Sequence, residues 1–178
     1  RLNVTADDLQ CGTHAVEDGE TEAALIRSGT RRDAFHHNCS GKHLGMLATA
    51  RHLGQPISEY LAVAGAVQQS VLRSVAQFCE VPVAEIGLGI DGCSAPNFAL
   101  PLTATALGVA RLLDPGAPGE AQAVTSAMMQ HPEMVQGDGG FDTELMRLLA
   151  GRAIAKRGAE GVQIVGLAPH AGRPAIGL

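Results

Sequence analysis

The sequence has no tryptophan and only 3% aromatic residues, against 22 glycines. A core of broad rings is therefore excluded, and close packing through Leu, Val and Ala is expected instead. A basic stripe is also missing: the formal net charge is −5 and the charges are scattered. That excludes the electrostatic footprint needed by nucleic acid or an anionic membrane, and points to a small-molecule partner. No apolar run reaches the roughly 18–20 residues that span a bilayer, and no basic segment leads into an apolar stretch as in a signal peptide, so a cytoplasmic protein is expected. The four cysteines, Cys11, Cys39, Cys79 and Cys93, sit at wide and irregular intervals. In a chain of this size they do not read as a disulfide framework. Nucleotide motifs are absent as well. Gly41-Lys42 is followed by His43 rather than Ser or Thr, and no Gly-x-Gly-x-x-Gly follows a strand pattern, so ATP and NAD find no support.

What is present suffices for an ordinary domain: 178 residues at 46% hydrophobic composition can bury a core. Thr5 with Asp8 three residues later forms a capping pattern for a short helix closed by Gly12, and residues 21–28 repeat it more weakly. Helical spacing over residues 42–53 brings Leu44, Met46, Leu47 and Ala50 to one face, with Gly54 and Pro56 as stops. The longest helical pattern covers residues 57–78 and predicts one core helix. A strand over 85–90 leads into the Asp91-Gly92 turn. Helices are expected over 103–113, 121–129 and 141–149, the first two separated by a proline-glycine loop too short to divide two cores. Short β-prone runs over 152–156, 162–167 and 172–178 predict an antiparallel meander. Together these give an α+β fold in a single domain, with no internal repeat. Because the chain starts at Arg1 without a methionine and ends inside a β pattern, it reads as an internal fragment of something longer.

Polar chemistry is concentrated at 31–40, a stretch with little apolar periodicity that delivers Cys39 and Lys42 to a helix start. Unpaired N–H groups and the helix dipole stabilise a thiolate there, so a lowered Cys39 pKa is expected. Cys93 follows a strand and a tight turn, and the two thiols could converge on a metal, although free cysteines are also commonly small buried residues. Residue chemistry alone would complete a zinc site with His36, His37 or His43, since neutral imidazole is a usual ligand and lysine must first lose a proton. Asp91 could orient a metal-bound water or accept a substrate amine, while aspartate before glycine is also ordinary turn chemistry. Lys156, two residues before Gly158, could present an ammonium group or activate a serine, or could simply be a surface lysine beside a turn.

Taken together, several blocks resemble the bacterial asparaginase II family: residues 37–43 (His-Asn-Cys-Ser-Gly-Lys-His), residues 89–93 (Gly-Ile-Asp-Gly-Cys), Ala95 through Pro101, His131 through Val135, and Gly158 through Val162. The resemblance implies a serine β-lactamase-like fold and an L-asparaginase, which hydrolyses the side-chain amide of L-asparagine to L-aspartate and ammonia. It implies zinc as cofactor, with Cys39, Lys42 and Cys93 as ligands, which replaces the histidine set and makes Lys42 a neutral amine. By the same match His43 and Asp91 lie beside the metal as substrate-binding residues, Lys156 is a catalytic lysine, and a homodimer is one expected assembly. The departure is that no serine is followed by lysine three residues later, so the family's Ser-x-x-Lys nucleophile is expected upstream of this segment. Two other classes remain in view: a structural zinc module, and a β-lactamase-like amidase or peptidase that uses no zinc.

Overall fold

The first two α-helices of the chain end on glycine. In the computed structural model, which describes residues 3–178, α1 (Gly19–Ser28) and α2 (Ser40–Leu53) terminate on Gly29 and Gly54, both left-handed with φ of 65° and 69°. A residue without Cβ adopts that conformation at no steric cost and lets its N–H close the last turn. Asp18 starts α1 by accepting the Thr21 N–H at 2.7 Å. Ahead of it, the Thr5–Asp8 capping box forms as the sequence predicts, although it nucleates only a 3₁₀ turn, Ala6–Asp8.

The chain folds as two compact units, one running up to Arg73 and including Ile86–Ala99, the other comprising Ser74–Glu85 and Leu100–Leu178. In the first unit Met46, Leu47 and Ala50 of α2 lie against Tyr60, Val67, Cys93 and Ala95, all buried. Its sheet is a hairpin: β1 (Gly87–Ile90) pairs antiparallel with β2 (Pro96–Ala99), matching Ile90 to Pro96. The loop between them carries Asp91 and Cys93. The sequence pattern predicts β1 but not β2, because Pro96 and Asn97 are poor strand formers and the pairing is long-range information.

One expectation is corrected in this unit. Residues 57–78 do not form one helix; a 3₁₀ turn at Ile57–Glu59 is followed by irregular chain, and α3 (Ala66–Cys79) begins afterwards. Three glutamines hold the break. The Gln55 carboxamide donates to the Glu59 carbonyl at 2.6 Å and accepts the Val67 N–H at 2.9 Å. Gln68 donates to the Tyr60 carbonyl at 2.8 Å and Gln69 to the Val63 carbonyl at 3.0 Å. Side-chain amides satisfy backbone groups that a continuous helix would have paired, so periodicity alone could not reveal the interruption. The break turns Tyr60 into the core, where it is fully buried.

In the second unit, α4 (Leu102–Leu112), α5 (Gly119–Gln130), α6 (Glu133–Gln136) and α7 (Phe141–Leu148) accompany a three-stranded antiparallel sheet of β3 (Ala153–Arg157), β4 (Gln163–Leu167) and β5 (Ile176–Gly177). The meander has the predicted order, with Lys156 opposite Ile164. Val109, Leu113 and Ile154 form its buried centre. Gly166 is required there: a Cβ would lie 2.7 Å from Leu113 Cδ1 and 2.9 Å from Val109 Cγ1. Gly166→Ala is accordingly expected to destabilise the protein by about 1–3 kcal/mol, read as a lower urea midpoint at unchanged slope. The architecture is α+β, and no helix among the described residues is long and apolar enough to cross a membrane.

Candidate metal centre

Cys39 is the N-cap of α2 and Lys42 follows one turn later, so a single helix start presents both side chains. Cys93 reaches the same place from the β1–β2 loop. That loop is fixed from within: the Asp91 N–H donates to the Ala95 carbonyl at 2.8 Å, the Ser94 N–H to the Asp91 carbonyl at 2.9 Å, and Gly92 N–H to Asp91 Oδ1 at 2.8 Å. A ligand-capable atom from each of Cys39, Asp91 and Cys93 lies within 4.8 Å of the other two. Lys42 Nζ donates to Asp91 Oδ2 at 2.8 Å, and the Cys93 thiol points at the same oxygen at 3.4 Å. Cys93 is 2% exposed, whereas the Lys42 and Asp91 side chains are partly open to solvent.

His36, His37 and His43 do not join this cluster, which corrects the histidine-based reading. The His36 ring is paired with Asp33 at 2.8 Å, and His37 Nδ1 accepts the Cys39 N–H at 2.9 Å, so His37 positions the backbone of Cys39. His43 is fully buried and its Nδ1 meets the Tyr60 hydroxyl at 2.6 Å. Lys156 belongs to the second unit, on β3, where its Nζ donates to the Arg157 carbonyl at 2.6 Å. Tyr60 is the residue that sequence reasoning missed. Its signal, a single tyrosine inside the helix expected over 57–78, is indistinguishable from ordinary core packing.

The electrostatics also depart from expectation at one thiol. Burial pushes the Cys39 pKa up, and although Lys42 opposes this, the Cys93 and Asp91 groups reinforce it. The helix start does not outweigh that desolvation. Burial works against the Lys42 ammonium, yet hydrogen bonds to Asp91 and Cys93 and the neighbouring sulfurs hold its pKa above the ordinary lysine value. The hydrogen bond from Lys42 holds the Asp91 carboxyl below its usual range despite burial. The metal-free cluster thus centres on a lysine cation compensated by a carboxylate.

His43 is held neutral. Burial, then the charges of Lys42 and His37, push its pKa down to about 4 from 6.5. The unfolded chain therefore takes up a proton below about pH 6.5 that the folded state refuses. Stability contributed by neutral His43 is complete above that pH and is lost as pH falls from 6.5 towards 4. In metal-free protein, the drop in Tm across this window should be smaller for His43→Gln than for the unsubstituted chain, since carboxylate titration is common to both.

An α+β fold that gathers two thiols, a lysine amine and a carboxylate at one helix start defines a protein with a metal-capable centre. The L-asparaginase II family model matches residues 1–177, and the chain belongs to that family. No curated protein matches the chain. Family membership implies a hydrolase with a small-molecule substrate.

Proposed function

We propose that the chain supplies the metal centre and part of the substrate site of an L-asparaginase, which converts L-asparagine and water to L-aspartate and ammonia. The observation that carries this reading is the convergence of Cys39, Lys42, Asp91 and Cys93 in a chain of the asparaginase II family. Two thiols favour a soft or borderline metal over magnesium or calcium. Tetrahedral zinc with bonds of about 2.3 Å would separate two sulfurs by roughly 3.8 Å, which the 4.8 Å bound accommodates. Cys39, Lys42 and Cys93 would hold the metal, with Lys42 as a neutral amine released from Asp91. Zinc, when bound, would polarise and orient the substrate.

The chain's own residues divide the remaining work. Asp91, freed from Lys42, offers a carboxylate to the substrate ammonium group, and His43 offers a neutral imidazole to an acceptor oxygen. Lys156 helps activate a serine, on a β-lactamase-like fold in which residues 1–178 are a segment of a single catalytic domain. That serine lies outside the segment, because no Ser-x-x-Lys pairing occurs within it. Its oxygen attacks the amide carbon, ammonia leaves, and water then releases aspartate from the acyl-serine. Four free thiols suit a reducing, cytoplasmic setting.

One observation favours a second reading. Asp91 already lies among the ligand atoms, and Cys39, Lys42, Asp91 and Cys93 together would close a four-ligand structural site. Ammonia release separates the two. Zinc-loaded full-length protein should release ammonia and aspartate from L-asparagine in equal amounts, and residues 1–178 alone should release none. A folded, zinc-loaded full-length protein without turnover would instead support the structural site.

A further inference from the structure

We propose that Tyr60 is a positioning residue that fixes the tautomer of His43, so that His43 Nε2–H is presented as a hydrogen-bond donor to an acceptor oxygen of an amino-acid amide. The proposal rests on the reading of this unit as part of an asparaginase site. The Tyr60 hydroxyl oxygen accepts the Gln10 N–H at 2.7 Å and lies 2.6 Å from His43 Nδ1. A phenol carries one proton. With the oxygen already facing one donor, that proton is directed to Nδ1, which becomes an acceptor and leaves the ring proton on Nε2.

Nε2 is a buried side-chain nitrogen with no hydrogen-bond partner among the described residues, on a ring whose residue is fully buried. Leaving such a donor unpaired costs on the order of 1–3 kcal/mol, so its retention calls for an acceptor that arrives later. His43 directly follows Lys42 on α2, and Lys42 Nζ donates to Asp91 Oδ2 at 2.8 Å. Tyr60 is in turn held rigidly, because the glutamine-stapled break before α3 carries it into the core and its carbonyl is fixed by Gln68. The Tyr60 hydroxyl satisfies the Gln10 N–H, a structural service that phenylalanine would not give, and its contact with Nδ1 adds a second product, a defined donor at Nε2.

The test uses full-length protein with 15N-labelled histidine. NMR should show His43 protonated at Nε2 and bare at Nδ1, and addition of L-aspartate should shift the Nε2–H resonance. Tyr60→Phe should mix the two tautomers and raise KM for L-asparagine about tenfold with kcat within about twofold. His43→Gln places a carboxamide donor near the Nε2 position without needing Tyr60, so adding Tyr60→Phe in that background should change KM less than twofold. Protonation at Nδ1 in the unsubstituted protein, an Nε2–H resonance indifferent to L-aspartate, or an equal Tyr60→Phe effect in both backgrounds would overturn the proposal. If full-length protein releases no ammonia at all, the asparaginase reading fails, while the tautomer and its response to L-aspartate still decide the role of Tyr60. Those two readings come from unsubstituted protein and survive a Tyr60→Phe variant that does not fold.

Discussion

Cys39→Ser and Cys93→Ser are each expected to lower the zinc affinity of the protein by more than about 100-fold, beyond the 10–100-fold typical of partners that only orient a ligand. A hydroxyl is a harder and far less acidic donor than a thiol, so it neither ionises readily nor matches zinc. Cys79→Ser provides the control. Cys79 is buried in the second unit beside Gly108, so its replacement should perturb stability and leave zinc affinity within a factor of about two. Metal retained after dialysis against a competing chelator reads all three. Equal retention by Cys39→Ser and the unsubstituted protein would remove Cys39 from the centre.

A second large effect is expected in the other unit. Asp142, on α7, is fully buried. Its Oδ2 accepts the Arg157 N–H at 2.7 Å, its Oδ1 accepts from Gln163 Nε2 at 2.8 Å, and its own N–H donates to Gln136 Oε1 at 2.7 Å. One carboxylate therefore ties a helix to the end of β3, directly after Lys156. Asp142→Ala strands two donors and leaves a void, and should cost about 3 kcal/mol in urea unfolding. Asp142→Asn keeps one acceptor oxygen and should cost less than half as much. Zinc content should not change in either variant, because Asp142 and its hydrogen-bond partners Gln136, Arg157 and Gln163 all belong to the second unit. A loss within 0.5 kcal/mol of zero for Asp142→Ala, the range of ordinary surface substitutions, would show that the buried carboxylate is dispensable.

Local signals in the sequence were good guides wherever one element decided the outcome. Gly54 and the Thr5–Asp8 box mark helix ends in sequence and in space. In the second unit α4, α5, α7 and the meander keep their predicted order within a few residues, whereas the short α6 was not predicted. The pairing of Cys39 with Cys93 was also accessible, because each sits at an element end where side chains project. The failures share one cause. Gln55, Gln68 and Gln69 interrupt residues 57–78 through hydrogen bonds made by side chains, and a hydrophobic period does not register them. Tyr60 was hidden by the same error. Cys39 was expected to ionise easily from its place at a helix start, whereas desolvation and a neighbouring thiol prevail. Asp91 looked like turn chemistry and is both that and the partner of Lys42. Such double roles follow from three-dimensional neighbours rather than from spacing.

The central claim is that Cys39, Lys42 and Cys93 hold one zinc ion, and zinc K-edge X-ray absorption of the zinc-loaded protein tests it most directly. Two sulfur scatterers at about 2.3 Å, with lighter nitrogen or oxygen scatterers at about 2.0–2.1 Å, are the expected first coordination sphere. Conversion to a single sulfur in Cys93→Ser would assign one of the two. A sphere of nitrogen and oxygen alone in the unsubstituted protein would contradict the account.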